Sequence, residues 1–109
     1  MTHDDLDGLG WLARWYADHC DGDWEHSYGI EIGTLDNPGW TLKIDLRDTA
    51  LKDRPFDTVA FNMDAPDGDP AARWHHCKVV DYRFEGAGGV HDLSTLVGVF
   101  RAWVAETGS

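Results

Sequence analysis

The sequence predicts an α+β fold, a four-stranded antiparallel meander sheet with N- and C-terminal helices packed on one face, in the order α-β-β-β-β-α. Three observations predict it. Apolar residues recur at helical spacing near both ends, central segments alternate apolar and polar residues, and no repeat or long linker interrupts the chain. With 109 residues, we expect one domain over 1–109, with a core of about 6–105.

The first helix is predicted over residues 6–18. Its apolar face comprises Leu6, Leu9, Leu12, Trp15 and Tyr16. Asp4 and Asp5 suit a helix N-terminus, and the turn-forming sequence at 21–23 ends the helix.

A β-hairpin is predicted next, from strands at 27–33 and 40–46 joined by the turn sequence Asp-Asn-Pro-Gly at 36–39. In both strands alternate positions are apolar, which predicts one buried face. The inward residues are Tyr28, Ile30, Ile32, Trp40, Leu42, Ile44 and Leu46.

Two further strands are predicted at 57–63 and 74–84, followed by a glycine-rich loop at 85–89. The third strand turns Val59, Phe61 and Met63 inward. One face of the fourth carries His76, Val80, Tyr82 and Phe84, and the other carries His75, Cys77, Val79, Asp81 and Arg83.

The last helix is predicted over 92–105, with Asp92 as its N-cap. Its apolar stripe comprises Leu93, Leu96, Val97, Phe100, Trp103 and Val104. The two amphipathic helices are the available cover for the sheet.

The charge balance bears on the choice of partner. Nine Lys and Arg against 20 Asp and Glu give a net charge of −11. So acidic a chain repels phosphate backbones, which argues against nucleic acid, and attracts basic proteins, although solubility alone also explains acidity. No apolar run is long enough to span a bilayer and no secretory signal precedes the domain, so we expect no membrane association and a cytoplasmic location.

Histidine and cysteine form two groups in the sequence, His19/Cys20/His26 and His75/His76/Cys77. Neither has the paired spacing of a zinc site, so we predict no metal and no cofactor, although the sequence leaves metal binding open. Cys20 follows a helix C-terminus and precedes acidic residues, which disfavours a reactive thiolate.

The remaining enzyme signals are weak. A carboxylate group for acid–base chemistry comprises Asp21, Asp23, Glu25, Asp36 and Asp45. That chemistry needs a deep cleft, for which a small sheet covered on one face leaves little room. The glycine-rich loop lacks the lysine of a phosphate-binding loop. We therefore predict that the chain is not an enzyme.

Several segments together resemble a known family. They are Trp11-Leu12, Trp15-Tyr16, Cys20–Ile30, Thr34–Trp40, Lys43–Leu46, Phe84–Gly89, Phe100 and Trp103. This set is similar to the immunity protein 53 family of bacterial polymorphic toxin systems, from about residue 9 to 104. The resemblance implies an antitoxin that binds the C-terminal domain of a cognate toxin and blocks it without chemistry of its own.

The candidate contacts with such a toxin comprise Asp21, Asp23, Trp24, Glu25, Asp36 and Asn37. An exposed tryptophan beside carboxylates is typical of an interface hot spot. The carboxylates would equally form a capping network for their turns. The rival surface is the uncovered sheet face, predicted to carry Glu31, Lys43, Asp45, His75, Cys77, Asp81 and Arg83.

Three matters stay open at this point. Many such toxins are nucleases with basic clefts, so we expect a basic nuclease-type partner. The alternatives are an interaction module unrelated to toxins and a small thiol- or carboxylate-dependent enzyme. The oligomeric state is also open, because an exposed sheet edge can pair two copies.

Overall fold

Five strands and three helices make up the part of the chain that the computed structural model describes, residues 8–65 and 68–107. In chain order they are α1 (Gly8–His19), α2 (Trp24–Ser27), β1 (Ile30–Leu35), β2 (Gly39–Asp45), β3 (Val59–Phe61), β4 (His75–Val80), β5 (Arg83–Gly88) and α3 (Leu93–Thr107). The predicted helix start at Leu6, with its acidic residues Asp4 and Asp5, lies outside the described residues.

The strands form one antiparallel sheet in the order β1-β2-β5-β4-β3. The predicted α+β class with an antiparallel sheet is confirmed. The prediction of a four-stranded meander is wrong, because the sheet has five strands and β5 lies between β2 and β4. The edges of the sheet are therefore β1 and β3.

A tight turn at Asp81 and Tyr82 accounts for the extra strand. Both residues adopt positive φ angles, 52° and 63°. Two consecutive positive φ angles are typical of a two-residue hairpin turn. The turn divides the predicted strand 74–84 into β4 and β5, and it places the predicted loop 85–89 largely within β5.

The same turn changes which side chains of β4 are buried. Cys77 pairs with Gly86 and Val79 with Phe84, so these residues share the core face of the sheet. His75 lies on that face too, whereas His76 and Val80 lie on the opposite face. The predicted faces of β4 are wrong. In a continuous strand Val80 would share the face of Phe84, whereas in the hairpin Val79 does, so every side chain of β4 lies on the face opposite to the predicted one.

Both long helices cover the core face. Phe100 of α3 lies 5.1 Å from the Phe84 ring of the sheet and 5.0 Å from the Trp15 ring of α1. The residues of the buried core are Leu12, Trp15, Trp24, Leu42, Ile44, Leu46, Leu51, Cys77, Phe84, Leu96, Val97, Phe100 and Trp103. Burial of these apolar groups is the main source of stability for the fold.

Two other predicted strands differ in length. The predicted strand 27–33 begins only at Ile30, because residues 24–27 form the helical turn α2. The predicted strand 57–63 is reduced to β3, and Phe61 and Met63 are exposed rather than inward. The opposite face of the sheet carries no helix among the described residues.

Candidate functional site

Residues 21–25, the turn after α1 and the first residues of α2, form an acidic loop that is held by two of its own carboxylates. Asp21 accepts hydrogen bonds from the backbone N–H groups of Asp23 at 2.9 Å and Trp24 at 3.0 Å. Glu25 accepts bonds from the N–H groups of Asp21 and Gly22, both at 2.9 Å. Gly22, with φ of 95°, provides the sharp bend. The predicted capping network is therefore present for Asp21 and Glu25.

These hydrogen bonds also keep the loop charged. The N–H groups of Trp24 and Asp23 lower the pKa of Asp21. The pKa of Glu25 is lowered chiefly by its own N–H and further by those of Asp21 and Gly22, against partial burial and the nearby Asp21 charge. Hydrogen bonds to the charged form of a carboxyl group favour ionisation. The side chain of Asp23 makes no capping hydrogen bond, and the residue is exposed.

Trp24 lies beneath this loop and not on its surface. It is only 1% exposed. Its ring lies 5.7 Å from the rings of both Trp15 and His19 and 5.9 Å from Tyr16. The prediction of Trp24 as an exposed contact is wrong, because the helical turn α2 directs the indole into the core. It is the one described residue with a buried side-chain polar atom, Nε1, that lacks a hydrogen-bond partner.

Asp36 and Asn37 lie at the far end of β1 from this loop. They form the turn between β1 and β2, and the carbonyl oxygen of Asn37 accepts a hydrogen bond from the N–H of Gly68. At ~3.3 Å per residue, β1 separates the two groups by about 17 Å. The six predicted contact residues therefore do not form one cluster. The acidic loop and the Asp36 turn lie at the two ends of an edge strand.

The open face of the sheet carries a row of alternating charges. Glu31 of β1 pairs with Lys43 of β2, Lys43 with Glu85 of β5, and Glu85 with Lys78 of β4. Cross-strand neighbours of opposite charge stabilise a sheet. The open face therefore carries Glu31, Lys43 and Arg83 as predicted, whereas the hairpin places His75 and Cys77 on the core face. The role of the open face as a contact surface stays a prediction.

An aromatic and cationic cluster lies near the start of β1. The Arg47 guanidinium lies 5.7 Å from the Tyr28 ring and 5.9 Å from the Tyr82 ring, and Lys52 lies 5.3 Å from Tyr82. Arg47 also pairs with the buried Asp45 at 3.1 Å. Sequence reasoning missed this cluster, because Tyr82 was placed inside a strand and not in a turn.

Reasoning from sequence also missed the exposed edge of β1. Leu9 and Ile32 were predicted to lie on the apolar faces of their elements, yet they are 49% and 45% exposed. With Tyr16 they line a shallow groove between α1 and β1. Hydrophobic periodicity identified the correct face of each element. It could not show that the helices leave that face partly uncovered at the edge of the sheet.

The two thiols lie in different surroundings. Burial raises the pKa of the Cys77 thiol to about 11, which disfavours the reactive thiolate. Cys20 is exposed, and its Sγ donates to the carbonyl oxygen of Tyr16 at 3.2 Å. Within residues 8–65 and 68–107, no three His, Cys, Asp or Glu side chains come together in a way that could hold a metal ion.

Comparison with known families adds a decisive observation. The family model of immunity protein 53 matches residues 9–105, nearly the whole chain. The chain belongs to the immunity protein 53 family. The resemblance predicted from the sequence is confirmed, and the match includes the acidic loop, β1 and the whole sheet.

For this member of the immunity protein 53 family, searches of curated proteins and of solved structures gave no match. None of its described helices has the length and apolar character needed to cross a lipid bilayer. The family implies a toxin partner, so the acidic loop, the open sheet face and the exposed edge of β1 are candidate contact surfaces.

Proposed function

We propose that the chain is an immunity protein that binds a cognate toxin domain in the cytoplasm and neutralises it by stoichiometric occlusion, without chemistry of its own. The observation that carries the proposal is the acidic loop at residues 21–25, in a family member with a net charge of −11. The carboxylates of Asp21 and Glu25 are held by backbone hydrogen bonds, so binding does not have to order them.

The chemistry of this loop favours a basic partner. Asp21 and Glu25 have lowered pKa values and stay ionised at neutral pH, while Asp23 offers an exposed carboxylate. A nuclease-type toxin has a cationic cleft for phosphates, and a fixed group of carboxylates would occupy that cleft. We propose Asp21, Asp23 and Glu25 as one contact group, with Asp36 and Asn37 as a second. Trp24 supports the first group from below.

The test is rescue from toxicity. The toxin domain encoded next to the gene for this chain is expressed in a bacterial host, with and without the chain. We expect cells that express the toxin domain to grow only when the chain is expressed as well, and we expect the purified proteins to form a one-to-one complex. Survival that does not depend on the chain would contradict the proposal, as would a chain that protects without forming a complex.

A further inference from the structure

Strand β1 is an edge strand, and one row of its backbone hydrogen-bonding groups meets no other described strand. The N–H of Asp45 donates to the carbonyl oxygen of Gly29 at 3.1 Å, which fixes the phase of the ladder between β1 and β2. Because the direction of backbone groups alternates along an antiparallel strand, Glu31 and Gly33 face β2. The N–H and C=O groups of Ile30, Ile32 and Thr34 point away from it, and no other described strand pairs with them.

Within the described residues this edge has little of the usual protection against pairing. Natural edge strands are kept short, carry charged residues (above all Lys) or Pro, contain a bulge, or are covered by a helix or loop. The other edge, β3, has only three residues. Strand β1 has six, carries Glu31 as its one charged residue, contains neither Lys nor Pro, and pairs with β2 residue for residue without a bulge. The edge is therefore suited to accept another strand.

An apolar groove runs beside the edge on the core face. It has a volume of about 320 Å³ and is lined by Leu9, Leu12, Ala13, Tyr16, Ile30 and Ile32. An added strand would direct every second side chain towards this groove, since successive side chains alternate between the faces. The groove therefore selects a strand with apolar residues at alternate positions.

The charges on the open face of the sheet indicate which residues an added strand would carry at the remaining alternate positions. The row of charges across the sheet runs Lys78, Glu85, Lys43 and ends at Glu31 on the edge. The next strand would place a side chain directly beside Glu31, and the alternation calls for a cation there. The acidic loop and the Asp36 turn flank the two ends of the same strand and add negative charge.

A second copy of this chain does not meet these requirements. Strand β1 contains no Lys or Arg to lie beside Glu31, and two chains of net charge −11 repel each other. The groove also reaches the proposed contact loop, because Tyr16 lines it and lies 5.9 Å from Trp24. The occupant is therefore a different, basic protein.

We propose that β1 binds the toxin by strand addition, pairing with an extended toxin segment in which apolar and basic residues alternate. Apolar side chains of that segment enter the groove, and a Lys or Arg lies beside Glu31. Main-chain bonds to Ile30, Ile32 and Thr34 supply affinity, as in other cases of strand addition. This inference rests on the proposed function and specifies how the partner is held.

The first experiment measures amide hydrogen exchange, residue by residue, in the free chain and in its complex with the toxin domain encoded beside its gene. In the free chain we expect fast exchange at Ile30, Ile32 and Thr34. In the complex we expect at least about tenfold slower exchange at all three. Slow exchange in the free chain, or unchanged exchange in a complex that still forms, would overturn strand addition alone. Failure to form any complex would overturn the proposed function as well.

The second experiment compares matched variants. Glu31→Lys reverses the charge at the end of the row, and Asp57→Lys makes the same change in net charge two residues before the opposite edge strand. We expect Glu31→Lys to weaken toxin binding at least about tenfold more than Asp57→Lys does. Thr34→Pro removes an outward N–H but no bond to β2, so it should weaken binding while the chain stays folded. Equal effects of the two lysine variants would contradict the proposal.

Discussion

Arg73 donates two hydrogen bonds to one carboxylate oxygen of Asp92, from Nε at 2.9 Å and from Nη2 at 2.7 Å. The other oxygen of Asp92 accepts the backbone N–H of Trp74 at 3.1 Å. Asp92 is the residue before α3, and its side chain is only 4% exposed. The carboxylate predicted as an N-cap therefore joins the segment before β4 to the start of α3.

Replacement of Asp92 by alanine should destabilise the chain by about 2 kcal/mol, because a partly buried N–H and a guanidinium lose a charged acceptor. The free energy of unfolding in urea measures this effect. Asp57→Ala, at an exposed position, is the control and should change stability by less than about 0.5 kcal/mol. Similar stability of the two variants would show that the bonds of Asp92 contribute little.

The same carboxylate should make stability depend on acidity. Burial alone raises the pKa of Asp92, but the hydrogen bonds from Arg73 and Trp74 outweigh burial and lower it. A group with a lowered folded-state pKa stabilises the fold above its unfolded pKa of about 4, and the contribution is lost as pH falls through the lowered value. Urea midpoints should therefore fall below about pH 4. The fall should be smaller in Asp92→Ala, and equal slopes would contradict the assignment.

Asp23 and Asp21 should separate binding from folding. Asp21 holds two N–H groups of the acidic loop, whereas the side chain of Asp23 makes no capping bond. We expect Asp23→Ala to weaken toxin binding at an unchanged urea midpoint, and Asp21→Ala to lower the midpoint. Affinity from calorimetry and stability from urea unfolding are measured on both variants. Loss of stability in Asp23→Ala would place that residue in the fold and not in the interface.

Association with the toxin domain should slow as salt is added. From about 0.1 M to about 1 M salt the screening length falls from about 10 Å to about 3 Å. The association rate constant should fall by about tenfold or more, because the attraction between an acidic chain and a basic partner is screened. Stopped-flow fluorescence measures the rate. A rate that stays constant over this range would contradict electrostatic recruitment.

Two glycines should respond to alanine in opposite directions. A Cβ on Gly39 would collide with the carbonyl oxygen of Gly88 in the neighbouring strand, so Gly39→Ala should cost about 2 kcal/mol. Gly98 lies exposed inside α3 with open space around it, so Gly98→Ala should stabilise the chain by roughly 0.5–1 kcal/mol. Thermal unfolding compares the two variants. Stabilisation by Gly39→Ala would contradict the close approach of β2 and β5.

Local patterns predicted much of the fold. The Asp-Asn-Pro-Gly turn, the alternation in β2 and the apolar stripe of α3 are all visible in sequence and all present. The turn at Asp81 and Tyr82 was missed because neither residue is glycine, and tyrosine rarely adopts positive φ. Without that turn, the place of β5 between β2 and β4 could not be predicted, since it depends on pairing between distant segments.

The candidate site was predictable only where its contacts join residues that are close in sequence. The hydrogen bonds of Asp21 and Glu25 span two to four residues, so sequence reasoning anticipated them as a capping network. Burial of Trp24 depends on α1, which packs over it, and the open edge of β1 depends on the strand order. Both are tertiary properties that periodicity alone does not determine.

The two cysteines give the chain a built-in reporter of unfolding. Cys77 is fully buried and Cys20 is exposed. An alkylating reagent should modify Cys20 quickly in the native state, and should reach Cys77 only in molecules whose sheet and α3 have separated. Mass spectrometry of the doubly labelled fraction would therefore follow global opening directly, with the singly labelled chain as its internal reference.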